Sequence, residues 1–337
     1  MADSGLVLGP SGLSSELLGL SAELTGLSTV PVGLRAGSDG LADAGGQDVA
    51  APTGPTVRRV QLGKELERLR EQAGFSSIAK AVKHMPGISD TQLYRVERGT
   101  SAFRRATDLE AVLKVYGVEN QDDIDFLVGI HKDSLNRGWW STYARVMPSG
   151  MAMYIGLEDG AKAIKAWQPD VVFGLFQTEA YARAVFESGK LVEERTTDFV
   201  EKGIRLRMER QEILTRENPV EIRAILDEAA LRRKTGSQKV MREQIERLLD
   251  LAAMDNVTIQ ILPLDTATYR ANFDFTLMEF DDGIPTVVQM DTFDGASTIS
   301  DKDTEVWLFT RRFDALRDGA LPVAQTPKIL HQLSREI

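Results

Sequence analysis

The chain has 337 residues, is 42% hydrophobic and 27% charged, and carries a formal net charge of −10, an ordinary balance for two or three globular domains. It has no cysteine and only His84, His131 and His331 as histidines, which excludes disulfides and thiolate metal sites and leaves the histidines too dispersed for a metal centre. No apolar run of about eighteen residues and no basic start leading into an apolar segment occurs, so no spanning helix, no membrane association and no signal peptide are expected, and the expected location is cytoplasmic.

Residues 1–56 hold 11 of the 28 glycines and are otherwise rich in Ser, Ala and Leu, a composition expected to form a disordered, low-complexity tail and linker. Leu13, Leu17, Leu20, Leu24 and Leu27 are spaced like a heptad stripe over two repeats, which leaves a partner-binding helix as the alternative. Gly19 and Gly26 weaken that helix, each by about 1 kcal/mol relative to alanine. Residues 48–56, with Pro52 and Pro55, read as the linker proper.

Residues 57–137 are expected to form an all-helical, DNA-binding head of five short helices. From Val57 to Gly117 there are twelve Lys and Arg against seven Asp and Glu, a net of +5, which leaves −15 for the rest of the chain. A basic segment on an acidic body is the electrostatic footprint of a small DNA-reading head. Helical periodicity starts at Gln61, with Leu62, Leu66 and Leu69 as the apolar stripe and Ala73-Gly74 as the stop. Ser76 or Ser77 opens a second helix with Ile78, Val82 and Met85 inward, and Pro86-Gly87 breaks it.

The third helix runs from Ser89 to Gly99. Leu93 and Val96 give it one buried stripe, Ser89 can cap it with Gln92 as capping-box partner, and Gly99 can end it in the left-handed conformation. Its outward face carries Asp90, Thr91, Gln92, Tyr94 and Arg95, the pattern a major groove accepts. Arg95 could fork onto guanine and Gln92 pair with adenine, while Thr91 and Tyr94 could meet a thymine methyl or a phosphate; Asp90 could accept from cytosine or serve the cap. Lys80, Lys83, Arg98, Arg104 and Arg105 flank this face and are the expected phosphate contacts, with ordinary surface charge as the alternative for some of them. Glu97 is expected to orient a neighbouring arginine. Thr107-Asp108-Leu109-Glu110 reads as a capping box opening the fourth helix, and the fifth is expected near residues 122–136.

Residues 138–337 read as an α+β domain for dimerisation and for binding a partner or ligand. Strand-like segments at 221–227, 257–262, 273–280 and 286–290 alternate with helical patterns at 179–187, 193–216, 238–253, 304–317 and 328–335. Their irregular order predicts a small, mainly antiparallel sheet. Trp139, Trp140, Tyr143, Tyr154 and Trp167 are the candidate partner- or ligand-binding aromatics, with a plain core or the head–body joint as the simpler reading. Glu158-Asp159 and Asp227-Glu228 are paired acids without a lysine or histidine in any recognisable motif, so neither metal nor cofactor is expected, and Asp227 is more simply a helix cap. Arg205, Arg207 and Arg210 read as a solvated or salt-bridged helix face.

Leu66-x-x-Leu69-Arg70-x-x-Ala73-Gly74 and Arg95-Val96-Glu97-Arg98-Gly99 resemble the xenobiotic-response-element type of helix-turn-helix, the Cro and phage-repressor class. Gly74 to Ser89 is about two residues longer than that pattern, and Met85-Pro86-Gly87 stands where it has a leucine-glycine turn. Further on, Arg137-Gly138-Trp139-Trp140, Tyr154-Ile155-Gly156-Leu157-Glu158, the run from Phe173 to Ala182, Leu226-Asp227-Glu228-Ala229-Ala230-Leu231-Arg232-Arg233 and Asn256 to Pro263 are similar to the C-terminal domain of antitoxin-like regulators of toxin–antitoxin-type gene pairs in filamentous Gram-positive bacteria. The resemblance spans residues 61–317 and implies a transcription regulator, often with a small acidic partner protein encoded nearby. The head is expected to bind double-stranded operator DNA, and a homodimer is expected because one short recognition helix rarely gives enough affinity and specificity alone. The resemblance supplies no catalytic residues, and no enzyme is expected. The alternatives are an antitoxin-like interaction protein that binds DNA only to regulate itself, and a nuclease or hydrolase with a DNA-targeting head.

Overall fold

The computed structural model describes residues 54–281, 284–292 and 296–337; the leucine stripe between Leu13 and Leu27 and most of the expected linker lie outside them. Helix α1 (Pro55–Gln72) begins earlier than the expected onset at Gln61. Pro55 presets the first helical φ and has no N–H to leave unsatisfied. Thr56 and Val57, expected at the linker's edge, are instead buried in this first turn. What holds them is tertiary: helix α6 (Met151–Asp159) offers Gly156 and, just beyond its end, Gly160, where an added Cβ would overlap Thr56 and Val57 respectively. Helix α1 thus serves two cores, Val57 and Val60 in the body's and Leu62 and Leu66 in the head's.

The head continues with α2 (Ile78–Ala81), extended by the single 3-10 turn Val82–His84, then α3 (Asp90–Glu97), α4 (Ala106–Val115) and α5 (Gln121–Ser134). Gly87 turns the chain into α3 at φ +87°. The long α2–α3 connection seen in the sequence is therefore a shortened second helix followed by a tight left-handed turn. Leu62, Leu66, Leu93, Val96, Phe103 and Leu109 close one core. Thr107 does not open α4: Arg105 is its N-cap, and Asp108 pairs with the Arg105 guanidinium at 2.9 Å. Asn120 caps α5, its side-chain oxygen accepting from the Asp122 and Asp123 amides.

The body follows as a 3-10 stretch Trp139–Val146, α6, β1 (Ala163–Gln168), α7 (Glu179–Gly189), α8 (Thr197–Arg210), β2 (Glu221–Asp227), α9 (Glu228–Arg232), α10 (Gln238–Ala252), β3 (Val257–Leu262), β4 (Phe275–Glu279), β5 (Val287–Asp291), β6 (Ser297–Ser300), α11 (Asp303–Gly319) and α12 (Thr326–Glu336). The helix expected over 193–216 is shorter, because Thr196 caps it from the Phe199 amide and a 3-10 turn, Gln211–Leu214, ends it. The strands form one six-stranded sheet in the order β3-β2-β1-β4-β5-β6. Pairing is parallel from β1 to β2 to β3 and antiparallel from β1 through β4 and β5 to β6. The α+β class holds, with a sheet larger and more mixed than a small antiparallel one.

Helices cover both faces of this sheet. One face packs Ile164, Ala166, Ile222, Ala224, Ile259 and Ile261 against the helices that cross from strand to strand. The other packs Trp167, Phe275, Leu277 and Val288 against Phe309, Phe313 and Leu316 of α11. Strands β2 and β3 alternate polar and apolar residues at their starts and are buried on both faces only toward their carboxyl ends, at Ile225, Leu226, Ile261 and Leu262. No helix among the described residues is long and apolar enough to cross a membrane.

Candidate nucleic-acid interface

Helix α3 is built to present one face rigidly. The Ser89 hydroxyl accepts from the Gln92 amide at 3.1 Å and Asp90 sits in the first turn, where its charge suits the helix dipole. Leu93 and Val96 are buried. Gly99, at φ +65°, ends the helix, and an added Cβ there would press on Val60. Gly63 of α1 lets the two helices cross closely, since a Cβ at that position would overlap the Val96 and Glu97 carbonyls.

A buried ion pair locks the helix from behind. Arg70 Nε donates to both Glu97 carboxylate oxygens, at 3.0 and 3.2 Å, and its Nη1 donates to the Phe75 carbonyl at 2.9 Å. The Tyr116 hydroxyl also points to Glu97, at 3.4 Å. Burial pushes the Glu97 carboxyl up and Arg70 draws it back down. Glu97 therefore orients an arginine, as expected, and that arginine is Arg70 on α1.

Outward, Asp90, Thr91, Tyr94 and Arg95 are exposed and Gln92 is partly so. Tyr94 is 55% exposed, so its ring and hydroxyl are open to a partner. Asp90 accepts from the Thr91 amide at 3.0 Å, which favours its role in the cap. Among the described residues Arg95, Lys83 and Arg104 have no ion-pair partner, and all three are exposed. Lys80 donates to Ser76, Arg105 is paired with Asp108, and Arg98 lies 3.8 Å from Asp301 of the body. Lys64 of α1 binds the same Asp301 at 2.7 Å. Arg98 thus stands at the joint as well as beside the reading helix.

The body candidates separate differently. Trp140 is buried beneath α1 and α6, Trp139 donates to Asp159 at 3.3 Å, and Tyr143 hydrogen-bonds Glu209. Trp167 is fully buried under α11, its indole N–H donating to the Ala271 carbonyl at 3.1 Å. Of the five aromatics, Tyr154 alone lines the polar cavity described below. Arg210 is not a solvated residue: it is buried and forks onto Glu158, with both bonds at 2.7 Å. Asp227 caps α9 through the Ala229 amide at 2.8 Å and also holds Arg270. No group of three metal-ligating side chains occurs among the described residues. The sequence reading missed Gln168, Gln177, Asp274, Gln289 and Asp291, which the sheet gathers from distant segments; their only signal was polarity within apolar runs.

No curated protein and no solved structure matches the chain. Two family models do: one described as a helix-turn-helix domain, over residues 61–127, and one described as a domain of unknown function (DUF5753), over residues 151–332. The first coincides with the head that presents α3, and makes the protein a DNA-binding regulator. The second covers more than half of the chain, which therefore belongs to the DUF5753 family.

Proposed function

We propose that the protein is a sequence-specific transcription regulator that reads an operator half-site with α3 and dimerises to read two. The observation that carries this reading is the unpaired Arg95 beside exposed Tyr94 on a helix whose other side is fixed by Leu93, Val96 and the Arg70–Glu97 pair. A free guanidinium on a rigid helix can fork onto guanine O6 and N7. Lys83 and Arg104 then neutralise phosphates on either side, joined by Lys80, Arg98 and Arg105 in so far as their own partners release them. A single short helix rarely supplies enough affinity and specificity alone, which supports a dimer on two half-sites. The reading places the protein in the cytoplasm and includes no catalytic step.

The body serves dimerisation and partner or ligand binding. The likeness to antitoxin-like regulators supports a small acidic protein as partner. Footprinting of DNA upstream of the protein's own gene tests the regulator reading. The expected result is protection of two half-sites about one helical turn apart, with log affinity falling linearly with log salt. No protected site at modest ionic strength, with any co-encoded partner present, would overturn it. Nucleic-acid cleavage in Mg²⁺ or Mn²⁺ would favour the nuclease alternative.

A further inference from the structure

The body contains a polar cavity of about 240 Å³ that the DNA-reading role does not use. It opens at the carboxyl end of β1, where the parallel half of the sheet meets the antiparallel half. The strand order also reverses there, running from β1 to β2 and β3 on one side and continuing with β4, β5 and β6 on the other, and such a reversal is where open sheets leave a crevice for ligands. Along the same sheet face the residues are otherwise apolar: Ile164, Ala166, Ile222, Ala224 and Met278. At the cavity they become Gln168, Thr276 and Gln289, all buried. These groups pair with one another and with the cavity rim, Gln289 donating to Asp291 and Ser297 at 2.7 and 2.8 Å, so the sheet holds a pre-formed polar lining suited to a polar occupant.

The charges around the cavity are specific. Arg210 is neutralised by Glu158 and needs nothing further. Arg207, one turn earlier on α8, has no carboxylate partner among the described residues. Its Nη1 donates at 2.8 Å to Gln177 Oε1, and Gln177 in turn donates to the Val172 carbonyl at 2.6 Å. Its guanidinium also stacks on Phe186 with a carbon-to-centroid distance of 4.9 Å. It is therefore held in place with donors to spare. Burial and neighbouring Arg210 push its pKa down to about 10, so it remains a cation at neutral pH. The same cavity is lined by Asp274 and Asp291, the second held by Gln289 Nε2 at 2.7 Å. Burial and the Asp291 charge push Asp274 up to about 6, the mark of a carboxylate lacking a cation. One pinned cation and two carboxylates that burial holds above their ordinary range thus line one space, with Asp291 feeling the charges of Arg210 and Arg207, and a single small molecule can bridge them.

We propose that this cavity binds a small zwitterion, a free amino acid or dipeptide, its carboxylate held by Arg207 and its ammonium group by Asp274 and Asp291. A bidentate guanidinium–carboxylate contact and an ammonium between carboxylates are the strong forms of each interaction in a partly dry site. This deepens the ligand-binding part of the regulator reading and rests on it for its purpose, though the binding itself can be measured without DNA.

The test is isothermal calorimetry on the full chain with the twenty amino acids and a dipeptide set, each hit then compared with its N-acetyl and carboxamide forms. The expected result is saturable one-to-one binding of at least one free zwitterion, weakened about tenfold or more by blocking either end. Arg207→Met and Asp291→Asn should each weaken it by a similar factor, while Arg311→Ala on the far helix α11 should not. Asp291 is exposed enough that its amide should leave the fold unchanged, which circular dichroism checks. No saturable binding by any member, binding indifferent to Asp291→Asn, or binding of Mg²⁺ or a diamine in place of every zwitterion would overturn the proposal. DNA binding measured on the same samples separates the two claims: intact DNA binding without a ligand overturns only this one, and ligand binding without DNA binding overturns only the regulator reading.

Discussion

Among the described residues the head and the body each contain one buried arginine–glutamate pair, and the two pairs do different work. In the head, Arg70–Glu97 ties α1 to the end of α3, and the remaining charges of the reading face point outward. In the body, Arg210–Glu158 ties α8 to α6 and forms one wall of a cavity whose other polar groups point inward. The head uses its buried pair to stiffen a surface that meets a partner outside. The body uses its pair to shape an interior. Both pairs are buried; what separates them is their surroundings, since Arg70 has Glu67 and Glu71 within 4.0 Å as well as Glu97, whereas Arg210 has Glu158 as its carboxylate partner.

The largest expected effect compares the pairs directly. Removing one member of a buried pair leaves an uncompensated charge, at a cost of about 3–5 kcal/mol. Glu158→Ala should approach that range in urea denaturation, because Arg210 then loses its ion-pair partner and keeps a long hydrogen bond to the Tyr154 hydroxyl, at 3.4 Å, and the face of the Tyr154 ring. Glu97→Ala should cost less, since Arg70 keeps the Phe75 carbonyl and has Glu67 and Glu71 at 4.0 and 3.9 Å. Equal losses would mean the two pairs are equally buried in energetic terms.

A second comparison uses the helix shared by both cores. Gly63→Ala forces α1 from α3, and Gly156→Ala forces it from α6. Each should cost about 1–3 kcal/mol by overpacking. Gly63→Ala should also weaken DNA binding, because it displaces α3, whereas Gly156→Ala should mainly lower the stability of the joint. Denaturation and fluorescence anisotropy on the two variants would sharpen the distinction.

The smallest effects come from pH, and they have opposite signs. His131 is buried in the head with no hydrogen-bond partner on either ring nitrogen, and burial pushes its pKa down. The folded head therefore prefers the neutral ring, and stability is lost as pH falls below the unfolded value of about 6.5. Asp274 in the body has its pKa raised to about 6, so its contribution is present at low pH and is lost as pH rises through that value. Removing His131 as His131→Leu should raise Tm more at about pH 5.5 than at about pH 8, and Asp274→Asn should raise it more near neutrality than at about pH 4.5. Parallel pH profiles for the two variants would contradict this.

Legibility in the sequence also differed between the regions. Local signals were enough for the reading helix: Ser89 as cap, Leu93 and Val96 as stripe, Gly99 as stop. Strands 221–227 and 257–262 were readable because Ile222, Ile225, Val257, Ile259 and Ile261 put β-branched residues at the positions the sheet buries. Strand β1, Ala-Ile-Lys-Ala-Trp-Gln, was not, since two alanines and a lysine carry little strand preference and its pairing with β2 and β4 is remote in sequence. The onset of α1 was hidden because its first turn is held by remote contacts, Thr56 and Val57 against Gly156 and Gly160 and Val60 against Gly99. The cavity was least visible. Arg210 and Glu158 lie 52 residues apart, and Asp274 and Asp291 meet Arg207 only through the sheet order.

The central claim is that the outward face of α3 reads base sequence through Arg95. Selection from a random DNA library with the wild-type chain and with Arg95→Ala tests it most directly. The account predicts a defined motif for the wild type, loss of preference at one guanine position in the variant at a cost of about 1–3 kcal/mol, and unchanged thermal stability. The same motif, with the same preference at every position, from both proteins would contradict it.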